Sequence, residues 1–136
     1  RNLTHVASGI LKLEKAESSV NLLNLQKEIE KLIKIYKPAH AGIEKLFFSK
    51  NQKTAFRVAE ARGVLIATLT KYAIPLIELS PSEVKIAITG DGGASKKAVA
   101  KMVRLFVELP PKPLLDDVTD ALAIAITIST ITRYPQ

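Results

Sequence analysis

Apolar positions along this chain change their period several times, and each change marks an element. Residues 3–14 are mostly apolar or small until Lys12, Glu14 and Lys15, which predicts a strand running into a turn. Ser18 and Ser19 can cap a helix whose apolar positions Leu22, Ile29, Leu32, Ile33 and Tyr36 follow the helical period. Lys27, Lys31 and Lys34 lie on its other side, Glu30 and Lys34 have the spacing of a helical ion pair, and Pro38 stops the helix. Residues 39–48 form an almost uninterrupted apolar run holding one carboxylate, Glu44, which predicts a buried strand of a mainly parallel sheet.

A second helix starts at Asn51, with Ala55, Val58, Ala59, Val64, Ile66, Ala67 and Leu69 on its apolar side. Residues 74–79 are the next strand. Ser80-Pro81-Ser82-Glu83 opens a short helix to about Ile88, and Thr89-Gly90-Asp91-Gly92-Gly93 makes a turn. Ser95 caps a helix with Val99, Met102, Val103 and Phe106 on one face and Lys97, Lys101 and Arg104 on the other. Pro110, Pro111 and Pro113 form a linker, and Asp116 opens a last helix that reads as buried nearly all round. Strands alternating with helices predict the α/β class.

Composition narrows the function. The 136 residues suffice for one domain, and 47% hydrophobic against 24% charged residues exclude disorder for most of the chain. The absence of cysteine excludes disulfides, thiolate metal sites and thiol nucleophiles. His5 and His40 are too few for a zinc site and read as structural, so any metal is a hard cation on carboxylates. A net charge of +7 favours a polyanionic partner, nucleic acid first. Aromatics are only 5%, without Trp, which argues against single-strand binding by base stacking. The longest apolar run, 121–131, is interrupted by Thr127, Ser129 and Thr130 and is too short to span a bilayer.

Asp117 and Asp120 are three apart at the start of the last helix and share one face. Acidic first-turn residues are common without any function, but a carboxylate leading into a buried helix also suits a metal. Glu44, between Ile43 and Leu46-Phe47-Phe48, is either half of a salt bridge with Lys45 or Arg62 or a third ligand. If the fold gathers Glu44, Asp117 and Asp120, the set has the composition of a two-metal phosphodiesterase site. Lys96, Lys97, Lys101 and Arg104 lie on one helix with no acidic residue before Glu108, which with the net charge favours contact with phosphate. Gly90-Asp91-Gly92-Gly93 matches neither nucleotide-loop spacing, and Ser49, Thr54 and Ser80 have no His–Asp partner pattern.

Taken together, these segments resemble the RuvC-type Holliday junction resolvases. Ile43-Glu44-Lys45-Leu46-Phe47-Phe48-Ser49-Lys50-Asn51 resembles the family's segment around its strand-borne glutamate. Ala59-Glu60-Ala61-Arg62-Gly63-Val64 resembles its Q-A-R-G-V helix, with Glu60 for Gln. Pro81-Ser82-Glu83-Val84-Lys85 and the turn at 89–97 resemble its DNA-facing loop and helix, and Asp117-Val118-Thr119-Asp120-Ala121-Leu122-Ala123 its closing D-x-x-D-A-L-A motif. Ser19 and Asn21 stand where the family has Pro and Arg.

The resemblance implies an RNase H-like fold, a mixed sheet flanked by helices, in one nuclease domain over 1–136. It implies a homodimer paired through the helix carrying Ala59, Ala61, Gly63 and Ala67, and nicking of opposed strands of a four-way DNA junction in recombination and repair. Mg²⁺ is the implied cofactor, with Mn²⁺ as substitute, held by Glu44, Asp117 and Asp120 as catalytic ligands. Lys85 and Lys96 are implied to act at the scissile phosphate, Phe47 to wedge against an unstacked base, and Lys97 and Lys101 to extend the DNA contact. A branch-migration helicase is a further implied partner, and the bacterial cytoplasm, at the nucleoid, the implied location. The family's first two strands, with an Asp-Pro-Gly carrying another catalytic Asp, have no counterpart here. The chain begins with Arg1, and the expectation is that the intact protein has this hairpin upstream. The alternatives are a junction-binding protein that does not cut and an RNase H-like nuclease acting on another nucleic acid.

Overall fold

The computed structural model describes residues 3–13, 18–45 and 52–133, in the order α1 (Ser18–Tyr36), β1 (Ala41–Glu44), α2 (Gln52–Lys71), β2 (Leu76–Leu79), α3 (Pro81–Thr89), α4 (Lys96–Phe106) and α5 (Asp116–Arg133). β1 and β2 pair in parallel, because the register rises together on both strands. The Ala41 N–H donates to the Pro75 carbonyl at 2.9 Å, and the Lys45 N–H donates to the Leu79 carbonyl at 2.8 Å. The chain divides into two compact units, one of residues 1–10, 42–45 and 77–136 and the other of 11–41 and 46–76.

In the first unit, α3, α4 and α5 bury one apolar cluster. Val84 and Ile88 of α3 meet Val99 and Val103 of α4 and Val118, Leu122, Ala123, Ile126 and Ile128 of α5, with Leu79 from β2. Val103 and Ala123 are each 1% exposed and sit at its centre. The hydroxyl of Thr127, also buried, donates to the Ala123 carbonyl at 2.8 Å and so leaves no polar group stranded.

Local chemistry sets α3 and α4. The Ser80 side chain accepts from the Glu83 N–H while the Glu83 carboxylate accepts from the Ser80 N–H, a reciprocal cap with Pro81 in the first turn. α3 ends where Gly90 takes φ +80, a conformation that costs glycine little, and its N–H reaches the Ile86 carbonyl. Asp91 then accepts from the Gly93 N–H at 2.8 Å, and Ser95 caps α4 through the Ala98 N–H. The glycine-rich turn is a rigid joint between two capped helices.

In the second unit, α1 packs on α2 through Ile29, Ile33, Leu69 and Ile74. Glu30, spaced for Lys34, turns instead to α2: the Tyr72 hydroxyl donates to it at 2.9 Å and Lys71 reaches it at 3.4 Å. That hydroxyl, chiefly, holds the Glu30 carboxyl below its ordinary pKa of 4.5 and in return holds the Tyr72 phenol above its ordinary 10.0. The lowered Glu30 pKa makes the bond stabilising above about pH 4.5 and lost as pH falls through the lowered value. The raised Tyr72 pKa makes it stabilising below about pH 10 and lost as pH rises through the raised value. Tyr72→Phe is therefore expected to lower the melting temperature most near neutral pH, with the gap to the parent closing at both extremes. Melts from pH 3 to 11 check this, and a gap constant across that range would refute the coupling.

Several sequence expectations need correction. Residues 3–13 contain no strand, since a strand exists only where a neighbour accepts its hydrogen bonds, and none lies alongside among the described residues. Ser18 is the first helical residue of α1 and not its cap, and Leu32 and Tyr36 are exposed rather than core. β1 is shorter than 39–48 and alternates half-buried with exposed positions, so Glu44 is an exposed carboxylate at a strand end. β2 begins only at Leu76, although Ile74 is buried. α5 is buried on one side, with Ala121 and Ala125 exposed. Phe106 is 39% exposed. Phe47 and the rest of 46–51 lie outside the described residues.

Candidate active site

The carboxyl end of β1 sets the first functional side chain. Glu44 is its last residue, and the next residue is tied down twice. The Lys45 N–H is bonded to the Leu79 carbonyl, and its ammonium lies 3.5 Å from the Glu83 carboxylate on α3. The Ser80 N–H, foremost, holds the Glu83 carboxyl below its ordinary pKa, so that carboxylate stays charged toward Lys45 through mild acid. The pair is half exposed, so it orients these groups more than it stabilises the fold.

Gly42 sets the second. A Cβ built there would lie 2.6 Å from Ile124 Cγ2 and 2.6 Å from Ile128 Cγ1 of α5. The missing side chain lets α5 lie close on this face of β1. Gly42 and Glu44 share that face, two residues apart, so the helix that covers Gly42 with Ile124 and Ile128 brings its earlier turn, with Asp120, toward Glu44.

The result is a cavity of about 280 Å³ lined by Glu44, Lys85 of α3, Lys96 of α4 and Asp120 of α5, floored by Val84, Val99 and Ala123. Two acidic and two basic residues thus line one space at the carboxyl end of a parallel strand pair, the usual site position in an open α/β sheet. A second cavity of about 220 Å³ shares Lys96 and Asp120 and adds Asp116, Thr119 and Arg104. Lys96 lies 4.0 Å from Asp116, both side chains being more than three-quarters exposed. Such a pair contributes about 0–1 kcal/mol and leaves the lysine able to turn to a stronger anion.

The sequence-derived residues divide accordingly. Glu44, Asp120, Lys85 and Lys96 meet at the first cavity. Asp117 is exposed one turn before Asp120 and lines neither cavity. Lys97 and Lys101 are exposed on α4 and also stand outside both. Among the described residues no three His, Cys, Asp or Glu side chains come within reach of one metal ion. The pair Glu44 and Asp120 nevertheless fits a hard divalent cation of the Mg²⁺ kind, which keeps several waters and takes one or two carboxylates plus substrate phosphate. Arg104, grouped by sequence with the phosphate-facing lysines, donates to the carbonyls of Pro110 and Lys112. Sequence reasoning missed the Lys45–Glu83 tie, whose partners lie 38 residues apart, and passed over Asp116, which stands nearer Lys96 than motif spacing suggests.

A parallel strand pair flanked by helices, with acidic residues from a strand end and a helix facing lysines, defines an RNase H-like nuclease fold. The sequence profile described as crossover junction endodeoxyribonuclease RuvC matches residues 1–128. The chain belongs to this RuvC family, a family of nuclease enzymes. It is 41% identical over 133 residues to the crossover junction endodeoxyribonuclease RuvC of Thermosipho melanesiensis, covering 97% of this chain and 85% of that one. With the same enzyme of Brachyspira hyodysenteriae it shares 46% over 129 residues, 94% and 79% of the two chains. The structure of Thermus thermophilus RuvC superposes with a TM-score of 0.84 at 26% identity, over 94% of this chain and 78% of that one. T. thermophilus RuvC in complex with a Holliday junction substrate gives 0.81 at 26% identity, over 89% and 75%. Among the described residues no helix is long and apolar enough to cross a membrane.

Proposed function

We propose that this protein is a structure-selective endonuclease that nicks four-way DNA junctions by Mg²⁺-dependent phosphodiester hydrolysis, in recombination and repair at the bacterial nucleoid. The observation that carries the reading is the cavity where Glu44 and Asp120 face Lys85 and Lys96. A bound divalent cation supplies Lewis acidity and a more acidic water. Glu44 and Asp120 would hold it, with Asp117 as a third ligand from the same helix. Lys85 and Lys96 draw a phosphate into the cavity and offset the charge that develops on its oxygens. Lys97 and Lys101 extend the positive face along α4, and Phe47 is assigned to the unstacked base at the crossover.

Paired incisions require two sites related by a two-fold axis, which a homodimer provides. Support for pairing through α2 comes from Ala59, Gly63 and Ala67, all exposed, and from Phe56, which is 69% exposed on the same helix. A branch-migration helicase is the proposed motor that brings junctions to it. The dispersed acids, with no three close together among the described residues, favour junction binding without cleavage as the second reading.

The test is nicking of a synthetic four-way junction with Mg²⁺, against linear duplex and RNA–DNA hybrid as competitors. Symmetric nicks in the junction alone are expected. Junction affinity should fall steeply between 50 and 200 mM salt, and Lys96→Gln should reduce that salt slope by about one phosphate's worth. Binding without nicks selects the second reading, and equal cutting of the hybrid overturns junction selectivity.

A further inference from the structure

Between α4 and α5 the chain runs through residues 107–115 without helix or strand. Pro110, Pro111 and Pro113 have no N–H, so this stretch is short of local donors for its own carbonyls. Arg104 supplies them from the last turn of α4. Its Nη1 donates to the Pro110 carbonyl at 2.9 Å and its Nη2 to the Lys112 carbonyl at 2.7 Å. A planar fork of fixed spacing thereby holds two points of the linker at once, which a single ammonium does not do.

In the first turn of α5, Val118 is buried in the core and Asp116 lies 4.0 Å from Lys96, while the residue before the helix is less well held. Leu115, the residue before the helix, accepts from the Val118 and Thr119 N–H groups through its carbonyl. Its side chain has no oxygen with which to cap, and it is 63% exposed, so it is not anchored by packing either. Leu109 and Leu114 rest on the core from within the linker, and neither supplies a hydrogen bond to its carbonyls. Yet the first turn after this linker carries Asp116, Asp117 and, one turn on, Asp120.

We infer that Arg104 is a positioning residue, whose grip on the Pro110 and Lys112 carbonyls fixes where the acidic start of α5 stands beside Lys96. Its importance for catalysis rests on the nuclease reading above; the local ordering does not. Its guanidinium bonds the two linker carbonyls and lies outside the first cavity, while lining the second beside Asp116 and Asp120.

Arg104→Lys keeps the charge and removes the fork, and hydrogen exchange reads the result without DNA. Amides of residues 114–119 should exchange about tenfold faster, with those of α3 unchanged as internal reference. Mn²⁺ affinity, read by calorimetry, should weaken about tenfold, as for loss of a residue supporting metal ligands. Junction affinity without metal, and its salt slope, should match the parent. Exchange at 114–119 equal to the parent, or equally faster in α3, overturns the inference. In Arg104→Gln, which removes the charge, a salt slope reduced by about one contact makes Arg104 a phosphate ligand and overturns it too. A parent that binds no junction but gives the expected exchange would sink the nuclease reading and leave the ordering role of Arg104 in place.

Discussion

Asp120→Asn and Glu44→Gln are each expected to cut Mg²⁺-dependent nicking of a four-way junction by more than about 100-fold, the upper range for losing a residue that merely supports a metal. Both substitutions keep the side chain's size while removing the charge and exchanging one acceptor oxygen for an amide donor. At the first cavity the two carboxylates stand against Lys85 and Lys96, and a DNA phosphate entering there meets both signs. Removing either negative charge leaves the lysines' attraction for phosphate less opposed, so binding without metal should hold or tighten. Nicking assays and binding curves on the same junction separate the two effects. An equal loss of both would mean that the carboxylate shapes the fold. Unchanged nicking in both variants would remove this cavity from the mechanism.

The second large effect is expected at a residue that touches no DNA. In Gly42→Ala the new methyl would meet Ile124 Cγ2 and Ile128 Cγ1 at 2.6 Å, atoms held close to the backbone of α5 by β-branching. These atoms do not swing away as a chain end would, so the helix itself must move. Overpacking of this kind costs about 1–3 kcal/mol, a melting temperature lower by about 3–10 °C in a chain of this size. The same movement carries Asp120 away from Glu44, so nicking should fall further than the lost stability explains at a temperature where the variant is fully folded. In an Ile128→Ala background the penalty of Gly42→Ala should shrink, because one of the two obstructing atoms is gone. Additive penalties would show that the contact does not set the helix position.

Legibility of the sequence followed the range of the interaction. The caps at Ser80 and Ser95 were readable because each is closed by a residue three positions on. The acidic start of α5 was readable because Asp116 follows a proline-rich linker and opens the helix. Residues 3–13 have strand composition, but composition supplies no hydrogen-bonding neighbour. The apolar neighbours of Glu44 imply burial, whereas it ends a four-residue strand and stands exposed there. Arg104 carries the same charge as Lys97 and Lys101 and shares their helix, and only the carbonyls of a proline-rich linker distinguish it. The family motifs located Glu44 and Asp120, while Gly42, which brings them together, is a glycine among apolar residues with no signature of its own.

The first unit's core also has a consequence for how the protein is made. α5 supplies Val118, Leu122, Ala123, Ile126 and Ile128, five of the cluster's eleven buried residues, so α3 and α4 cannot complete their core until it has left the ribosome. Glu44 leaves the ribosome early and must wait for Asp120, with a parallel crossover and the helices of residues 81–106 to be closed in between. On the nascent chain, carboxylates and lysines are therefore dispersed, and the cavity they line closes only once α5 has docked.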